Sequence, residues 1–317
     1  NIRISDEIKD VILTVNYVAV CGVISLVGIT ANVLNMIVFA RLGLNDAINV
    51  SLLGLAAGDI CSLVAMFGDS VCFNPAFQST GLPVVLSEVQ YVVSGWPQVC
   101  FIRVTSWITA FVSLERCLCV TIPFQIKTVV TRRCAKLFVA TTFMFVAVTS
   151  LPEYFYNQIQ WKFYPERNRT LLGIVPVMRF EELAGVTYFI NQVVLQCVAF
   201  AVIAVCTCLM IVALNNTTRW RQESAKGNSC DISRKDKRMV KMVSLLSTWF
   251  IVAYTPASVL FIVMVFKPTF HPSFNYNLFH ITWSVSYLLE GCNASFNILI
   301  YLKMSTRYKS MFAKTFL

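Results

Sequence analysis

Charge is scarce in this chain. Of its 317 residues only 13% are Asp, Glu, Lys or Arg, and 57% are hydrophobic. An average soluble domain has about 25% charged and about 45–50% apolar residues. A water-soluble domain built around one core is therefore excluded, and the composition predicts a membrane protein.

Several kinds of chemical site are also missing from the sequence. Histidine occurs only as His271 and His280, and no Cys-x-x-Cys spacing occurs, which argues against a structural zinc site. No Gly-x-Ser-x-Gly elbow or phosphate-binding loop points to an enzyme. The internal repeats and paired Gly/Pro-broken segments expected of a secondary transporter are absent too. Most of the twelve cysteines lie in apolar stretches or at their predicted inner ends, so they do not indicate a disulfide framework.

What the chain does contain is seven apolar stretches, and a spanning helix needs about 20 such residues. We predict spans one to seven at about 11–40, 48–70, 89–120, 134–156, 184–214, 239–266 and 275–302. The expected fold class is an all-α membrane protein, with residues 1–317 forming one seven-span bundle. A short amphipathic helix is expected after span seven.

The distribution of lysine and arginine predicts the orientation, because these residues accumulate in cytoplasmic loops. With the N-terminus outside, 18 of them fall on the inner side, seven on the outer side, and Arg103 lies within a span. Topology thus explains the net charge of +10, and we expect no nucleic-acid partner. The predicted location is the plasma membrane, with several passes through the bilayer. Asn168-Arg-Thr170 is a glycosylation sequon in an outer loop.

Polar residues inside the spans form a second pattern. An ionisable or amide group within a bilayer is costly, so it usually faces the bundle interior. The polar residues and the motifs around them are Asn32 in span one, Leu55-Ala-Ala-Gly-Asp59 in span two, Glu115-Arg116-Cys117 with Pro123 at the end of span three, Phe250, Tyr254 and Pro256 in span six, and Asn297 to Tyr301 in span seven. Arg116 alone could be an anchor at the membrane edge, but the polar residues on the other spans predict a polar cluster in the interior of the bundle.

In order and spacing these residues resemble the rhodopsin-like (class A) G-protein-coupled receptors over essentially the whole chain. The stretch from Glu115 onward most resembles a divergent invertebrate branch, the molluscan chemosensory receptors, which lie near the neuropeptide receptors. Tyr254 stands in place of the family's tryptophan and Ile298 in place of a proline. Tyr91 stands where the family has the cysteine that pairs with the second outer loop, and that loop has no cysteine. By depth along their helices, Cys72 and Cys100 are too far apart to substitute.

The resemblance implies a mechanism. Glu115 would hold Arg116 at rest, and activation would release the arginine to a heterotrimeric G protein. Pro256 would let span six bend and swing outward, and Tyr301 would move inward as Asn297 repacks. Phe250 and Pro123 belong to the same switch. The basic stretches 127–136 and 234–241 would face the G protein or simply the anionic inner leaflet.

The resemblance also implies a sodium ion in the bundle centre, with no other cofactor. Its ligands would be Asp59, Thr105, Asn293 and Asn297, since a carboxylate and neutral oxygens suit a hard cation. A hydrogen-bonded Asp59 with water is the alternative.

The outer half of the bundle is the expected ligand site. By helical spacing the candidates are Gln98, Ile102 and Arg103 in span three, Tyr254, Ser258 and Phe261 in span six, and Trp283, Tyr287 and Glu290 in span seven. Gln98 occupies the place where amine receptors carry an aspartate, so an amine ligand is disfavoured.

Arg103 and Glu290 either pair with each other or bind an amphoteric ligand such as an amino acid or a short peptide. We therefore expect a chemosensory receptor for an extracellular small molecule or short peptide. A neuropeptide receptor is the alternative, and a transporter is less favoured. An opsin would need a lysine within 275–302, which the sequence lacks.

Overall fold

The computed structural model describes residues 5–121, 130–223, 234–266 and 276–317. Span one is a continuous helix, Asp6–Leu42, with a wide π-helical turn at Val15–Val20. Spans two, four, six and seven are the helices Ala47–Cys72, Arg132–Tyr156, Arg234–Phe266 and Tyr276–Met304. Span three consists of Leu86–Gln90, a π-helical turn at Tyr91–Gly95 and Trp96–Thr121. Span five consists of Glu181–Phe189, a π-helical turn at Ile190–Val194 and Leu195–Glu223. Short helical turns lie at Pro75–Gln78, Pro165–Arg167 and Met178–Phe180. The all-α seven-span prediction is confirmed.

Six of these helices are long and apolar enough to cross a membrane by length and composition, within the part of the chain that the structure describes. Span seven has 29 residues but is more polar, with Glu290, Asn293 and Asn297 on one side. These residues face the other helices, and Asn293 and Asn297 are buried. A helix that turns polar groups inward needs fewer apolar residues, because only its outer side meets lipid.

The C-terminal helix, Thr306–Phe316, confirms the predicted amphipathic segment. The Ser305 hydroxyl caps it by accepting a hydrogen bond from the Tyr308 amide at 3.2 Å. The Tyr308 hydroxyl donates to the side chain of Asn35 in span one at 2.6 Å. Arg307 binds Asp46 at 2.8 Å, so the first turn of the helix is fixed to the inner end of the bundle.

Buried amides join the inner halves of spans one, two and seven. Asn32 donates to the backbone oxygen of Ala294 at 2.8 Å, and Asn297 donates to the Asp59 carboxylate at 2.9 Å. Spans two and three approach closely at the same level: a Cβ on Gly58 would lie 2.8 Å from Cγ2 of Thr105. Thr105 therefore lies about level with Asp59.

The second outer loop contains structure that the sequence analysis did not predict. Strands β1 (Asn157–Tyr164) and β2 (Arg169–Pro176) form an antiparallel hairpin. Its turn ends at Asn168, whose φ of 47° is left-handed, a conformation that asparagine tolerates better than most residues. Asn168 is exposed at this turn, where a glycan would have room.

Candidate functional site

A cavity opens between the outer halves of spans three, six and seven. It is lined by Gln98, Val99, Ile102, Arg103, Ala257, Trp283, Ser286, Tyr287 and Glu290. Six of the nine predicted ligand residues are among them. The cavity combines two aromatic rings with two opposite charges, a composition common in sites for small polar ligands.

Arg103 is held in this cavity by span five. One terminal nitrogen donates to Gln192 at 2.6 Å, and the other donates to Gln196. Both glutamines are buried. They were missed by the sequence analysis, because neutral amides in an apolar span give no signal that separates a partner of Arg103 from an ordinary buried residue.

The predicted alternative of a direct ion pair between Arg103 and Glu290 is not what the structure contains. Within the described residues, Arg103 binds the two glutamines and forms no ion pair with Glu290. Glu290 instead interacts with the side chain of Gln98 and feels the charge of Arg103 at longer range. Two opposite charges thus share one cavity, and each is supported by neutral amides.

Two atoms of this cluster remain unsatisfied. Nε of Arg103 and Oε1 of Gln98 are buried and have no hydrogen-bond partner in the described part of the chain. A buried polar atom left without a partner costs about 1–3 kcal/mol. A ligand group that accepts from Arg103 and donates to Gln98 would remove that cost.

The remaining predicted ligand residues lie outside the lining. Tyr254 is buried and stacks on Phe250, with ring centroids 4.2 Å apart. Its hydroxyl lies beside the side chain of Thr105, so Tyr254 packs within the bundle and does not line the cavity. Ser258 donates to the backbone oxygen of Tyr254 at 2.9 Å. The side chain of Phe261 lies outside the described residues.

A second buried acid lies near the cavity and was also missed. Asp69 of span two is 2% exposed, and the hydroxyl of Tyr287 donates to one of its carboxylate oxygens. Tyr287 also packs edge-on against Tyr17 of span one, at 5.3 Å between centroids. Because Tyr287 lines the cavity and binds Asp69, it connects the cavity to spans one and two.

Two of the four predicted sodium ligands are in contact in the bundle centre. Asp59 is 2% exposed and accepts from Asn297, and Thr105 lies against the neighbouring Gly58. The Thr105 hydroxyl donates to the backbone oxygen of Ile102 at 3.0 Å and also interacts with the Tyr254 hydroxyl. One carboxylate among neutral oxygens fits a monovalent cation.

A second cavity lies on the inner side of this centre. Its polar lining includes Thr109, Ser113, Ser247, Asn293 and Asn297. The two asparagines thus connect the predicted cation site to the inner half of the bundle.

The predicted switch residues adopt a paired arrangement. Arg116 donates to the neighbouring Glu115, whose side chain is 4% exposed. Tyr301 is buried and packs edge-on against Phe39 of span one, with centroids 5.1 Å apart. Pro256 lies inside the span six helix. Pro123 lies outside the described residues.

The outer hairpin is held to span three without a disulfide; Cys72 and Cys100 are both free thiols. The Glu88 carboxylate accepts from the Tyr164 hydroxyl at 2.8 Å and from the Ile174 amide at 3.1 Å. Burial, and then the bond to Glu88, raise the pKa of Tyr164 to about 12, so the phenol stays a donor at neutral pH.

Two further contacts fix the same region. The Val85 amide donates to the backbone oxygen of Leu172 at 2.9 Å. Tyr91, which stands in place of the family's cysteine, donates to Glu153 of span four at 2.7 Å. The hairpin and the outer end of span three are therefore held by several non-covalent contacts.

Comparison with known proteins identifies the class of this arrangement. The sequence model of a family described as "Serpentine type 7TM GPCR chemoreceptor Srw" matches residues 16–317. The FMRFamide receptor of Drosophila melanogaster is 24% identical over 99% of this chain, and the chain spans 57% of that receptor's length.

Two other relatives are covered more fully. The allatostatin-A receptor of Bombyx mori is 22% identical over 92% of this chain and 77% of its own length. The neuromedin-U receptor 2 of Rattus norvegicus is 26% identical, with coverage of 92% and 72%.

Proposed function

The chain belongs to the serpentine type 7TM GPCR chemoreceptor family Srw, a family of multi-pass membrane receptors, and from that premise we propose how it works. The protein binds an extracellular small molecule or short peptide in the outer cavity and activates a heterotrimeric G protein at its inner face. The observation that carries this proposal is the cavity itself, where Arg103 and Glu290 lie together without pairing.

The chemistry of the cavity favours an amphoteric ligand. A carboxylate on the ligand would bind Arg103 through its unsatisfied Nε, and an ammonium or amide group would bind Glu290 and the free oxygen of Gln98. Charge-assisted hydrogen bonds in a site shielded from water are stronger than neutral ones. An amino acid or the charged end of a short peptide carries both of these groups a few bonds apart.

A neuropeptide is the second candidate ligand. The names of three relatives, the FMRFamide, allatostatin-A and neuromedin-U receptors, favour a peptide. The family name favours a chemosensory signal. Both kinds of ligand can present a charged end to the same cavity, so ligand size and the tissue of expression separate them.

The contacts at the inner side support a resting state. Glu115 binds Arg116, and Tyr301 packs against Phe39, away from the bundle centre. Activation would separate the first pair and bring Tyr301 inward, while the half of span six below Pro256 moves outward. An agonist produces this change only if it binds the open state more tightly.

The proposal is tested by a ligand screen with matched variants. Amino acids, short peptides and waterborne metabolites are applied to cells with a promiscuous G-protein reporter, each hit beside its carboxamide and its N-acetyl analogue. Arg103→Ala should remove the preference for the free carboxylate, and Glu290→Gln the preference for the free amine, at unchanged surface expression.

Arg167→Ala, which removes an exposed arginine of the outer hairpin turn, is the control and should respond like the wild type. If Arg103→Ala retained the full potency and selectivity of the wild type, the assignment of the cavity would be wrong.

A further inference from the structure

A hydrogen bond between spans three and six lies in the inner half of the bundle. The hydroxyl oxygens of Ser113 and Ser247 are 2.7 Å apart, and both side chains are fully buried. Ser113 also donates to the backbone oxygen of Thr109 at 2.8 Å. Since a hydroxyl has one proton, Ser247 is then the donor to Ser113, and the two bonds form a short chain.

The position of this serine pair (Ser113 and Ser247) relates it to the switch. Ser113 precedes Arg116 by three residues, about one helical turn. Ser247 lies nine residues, or about 13 Å of helix, on the inner side of Pro256. A bend of span six at the proline therefore moves Ser247 away from Ser113.

The residues around the serine pair explain why its hydrogen bond is sensitive to a movement of span six. Both serines line the inner cavity, beside Phe250 and Asn297, and apolar side chains of the same two spans, such as Val112 and Val243, belong to one buried cluster nearby. Apolar contacts are non-directional and tolerate sliding, whereas a hydrogen bond is lost once its atoms separate beyond about 3.5 Å. The pair thus responds to a small movement of span six.

We propose that the serine pair is a positioning contact that holds span six in the closed state and sets the basal activity of the receptor. This inference rests on the proposed function, because it concerns the same closed and open states. It adds residues outside the ligand site, the cation site and the Glu115–Arg116 pair.

The experiment is a double-mutant cycle on basal activity. Ser113→Ala and Ser247→Ala should each raise agonist-free nucleotide exchange by about threefold to tenfold, since each removes the buried hydrogen bond that joins the two spans in the closed state. The double variant should match the larger single effect, because both changes remove the same bond. Ser106→Ala is the control and should leave exchange unchanged, since Ser106 is equally buried but donates only to its own helix, at Ile102.

A second readout does not depend on the G protein. Spectroscopic labels, introduced as unnatural amino acids at the exposed positions Thr121 and Lys241, report the distance between the inner ends of spans three and six. The serine variants should increase the fraction of long distances, and Ser106→Ala should not. If one serine variant does not fold, the other single variant carries the test.

The outcomes separate the two proposals. Unchanged label distances and unchanged exchange in a folded serine variant would overturn the role of the pair, even if the receptor activates a G protein. Longer distances in a protein that stimulates no G protein would support the pair and count against the proposed function. Additive effects in the double variant would also overturn the inference.

Discussion

The attachment of the outer hairpin to span three gives a prediction whose size follows from its contacts. Glu88→Ala removes the acceptor for the Tyr164 hydroxyl and the Ile174 amide. A hydrogen bond to a charged group contributes about 1.5–3 kcal/mol, but the Glu88 side chain is 33% exposed, so we take about 1 kcal/mol for each bond. The pair of Glu88 with Lys162, at 3.8 Å and largely exposed, adds about nothing.

The total of about 2 kcal/mol corresponds to about a 30-fold increase in local opening. Hydrogen exchange measured by mass spectrometry in lipid nanodiscs detects this opening directly. Amides of β1 and β2 should exchange about 30-fold faster in Glu88→Ala, leaving aside the Ile174 amide, which loses its own acceptor. Glu88→Gln keeps one acceptor oxygen and should give an intermediate increase.

The control is Glu166→Ala, which removes an exposed carboxylate from the turn of the same hairpin and should leave exchange unchanged. If Glu88→Ala behaved like this control, the hairpin would be held by backbone bonds such as that between Val85 and Leu172. The reasoning would also fail if faster exchange appeared in the spans as strongly as in the hairpin, because the effect would then be global.

Three further predictions concern the switch, the cation site and the glycan. Arg116→Ala should lower agonist-stimulated exchange on a reconstituted G protein by about tenfold or more, and normal exchange would remove Arg116 from the switch. Sodium chloride, compared with choline chloride, should raise the unfolding temperature of the wild type by about 2 °C but not that of Asp59→Asn; equal shifts would exclude the ion. Asn168→Gln should abolish the mass loss that a glycosidase causes in protein from animal cells, and an unchanged loss would place the glycan elsewhere.

The sequence predicted those parts of the molecule that depend on local composition. Each span appeared as an apolar run, and the observed helices extend the predicted ranges by a few residues at most ends, as in 11–40 against Asp6–Leu42. The pairing of Glu115 with Arg116 is between chain neighbours and needs no knowledge of packing. The meeting of Asp59 with Asn297 was expected only through the family resemblance.

Contacts that depend on how helices are rotated and how loops fold were not predictable. Gln192 and Gln196 look like ordinary polar interruptions of span five until Arg103 is placed beside them. Nothing in the loop after span four separates a hairpin from an irregular segment, because its partner Glu88 is 86 residues from Ile174 along the chain. Such long-range pairs are decided by three-dimensional packing.

The wide π-helical turns at Val15–Val20, Tyr91–Gly95 and Ile190–Val194 all lie toward the predicted outer ends of their spans. Each holds one extra residue within a single wide turn, so the helix on either side of it keeps its phase. Deleting that residue would restore an ordinary α-helical turn and remove one side chain near the outer end of the span, while the inner half keeps its rotation. Insertions and deletions at these turns can therefore alter the outer ends of the spans without disturbing how the inner halves pack.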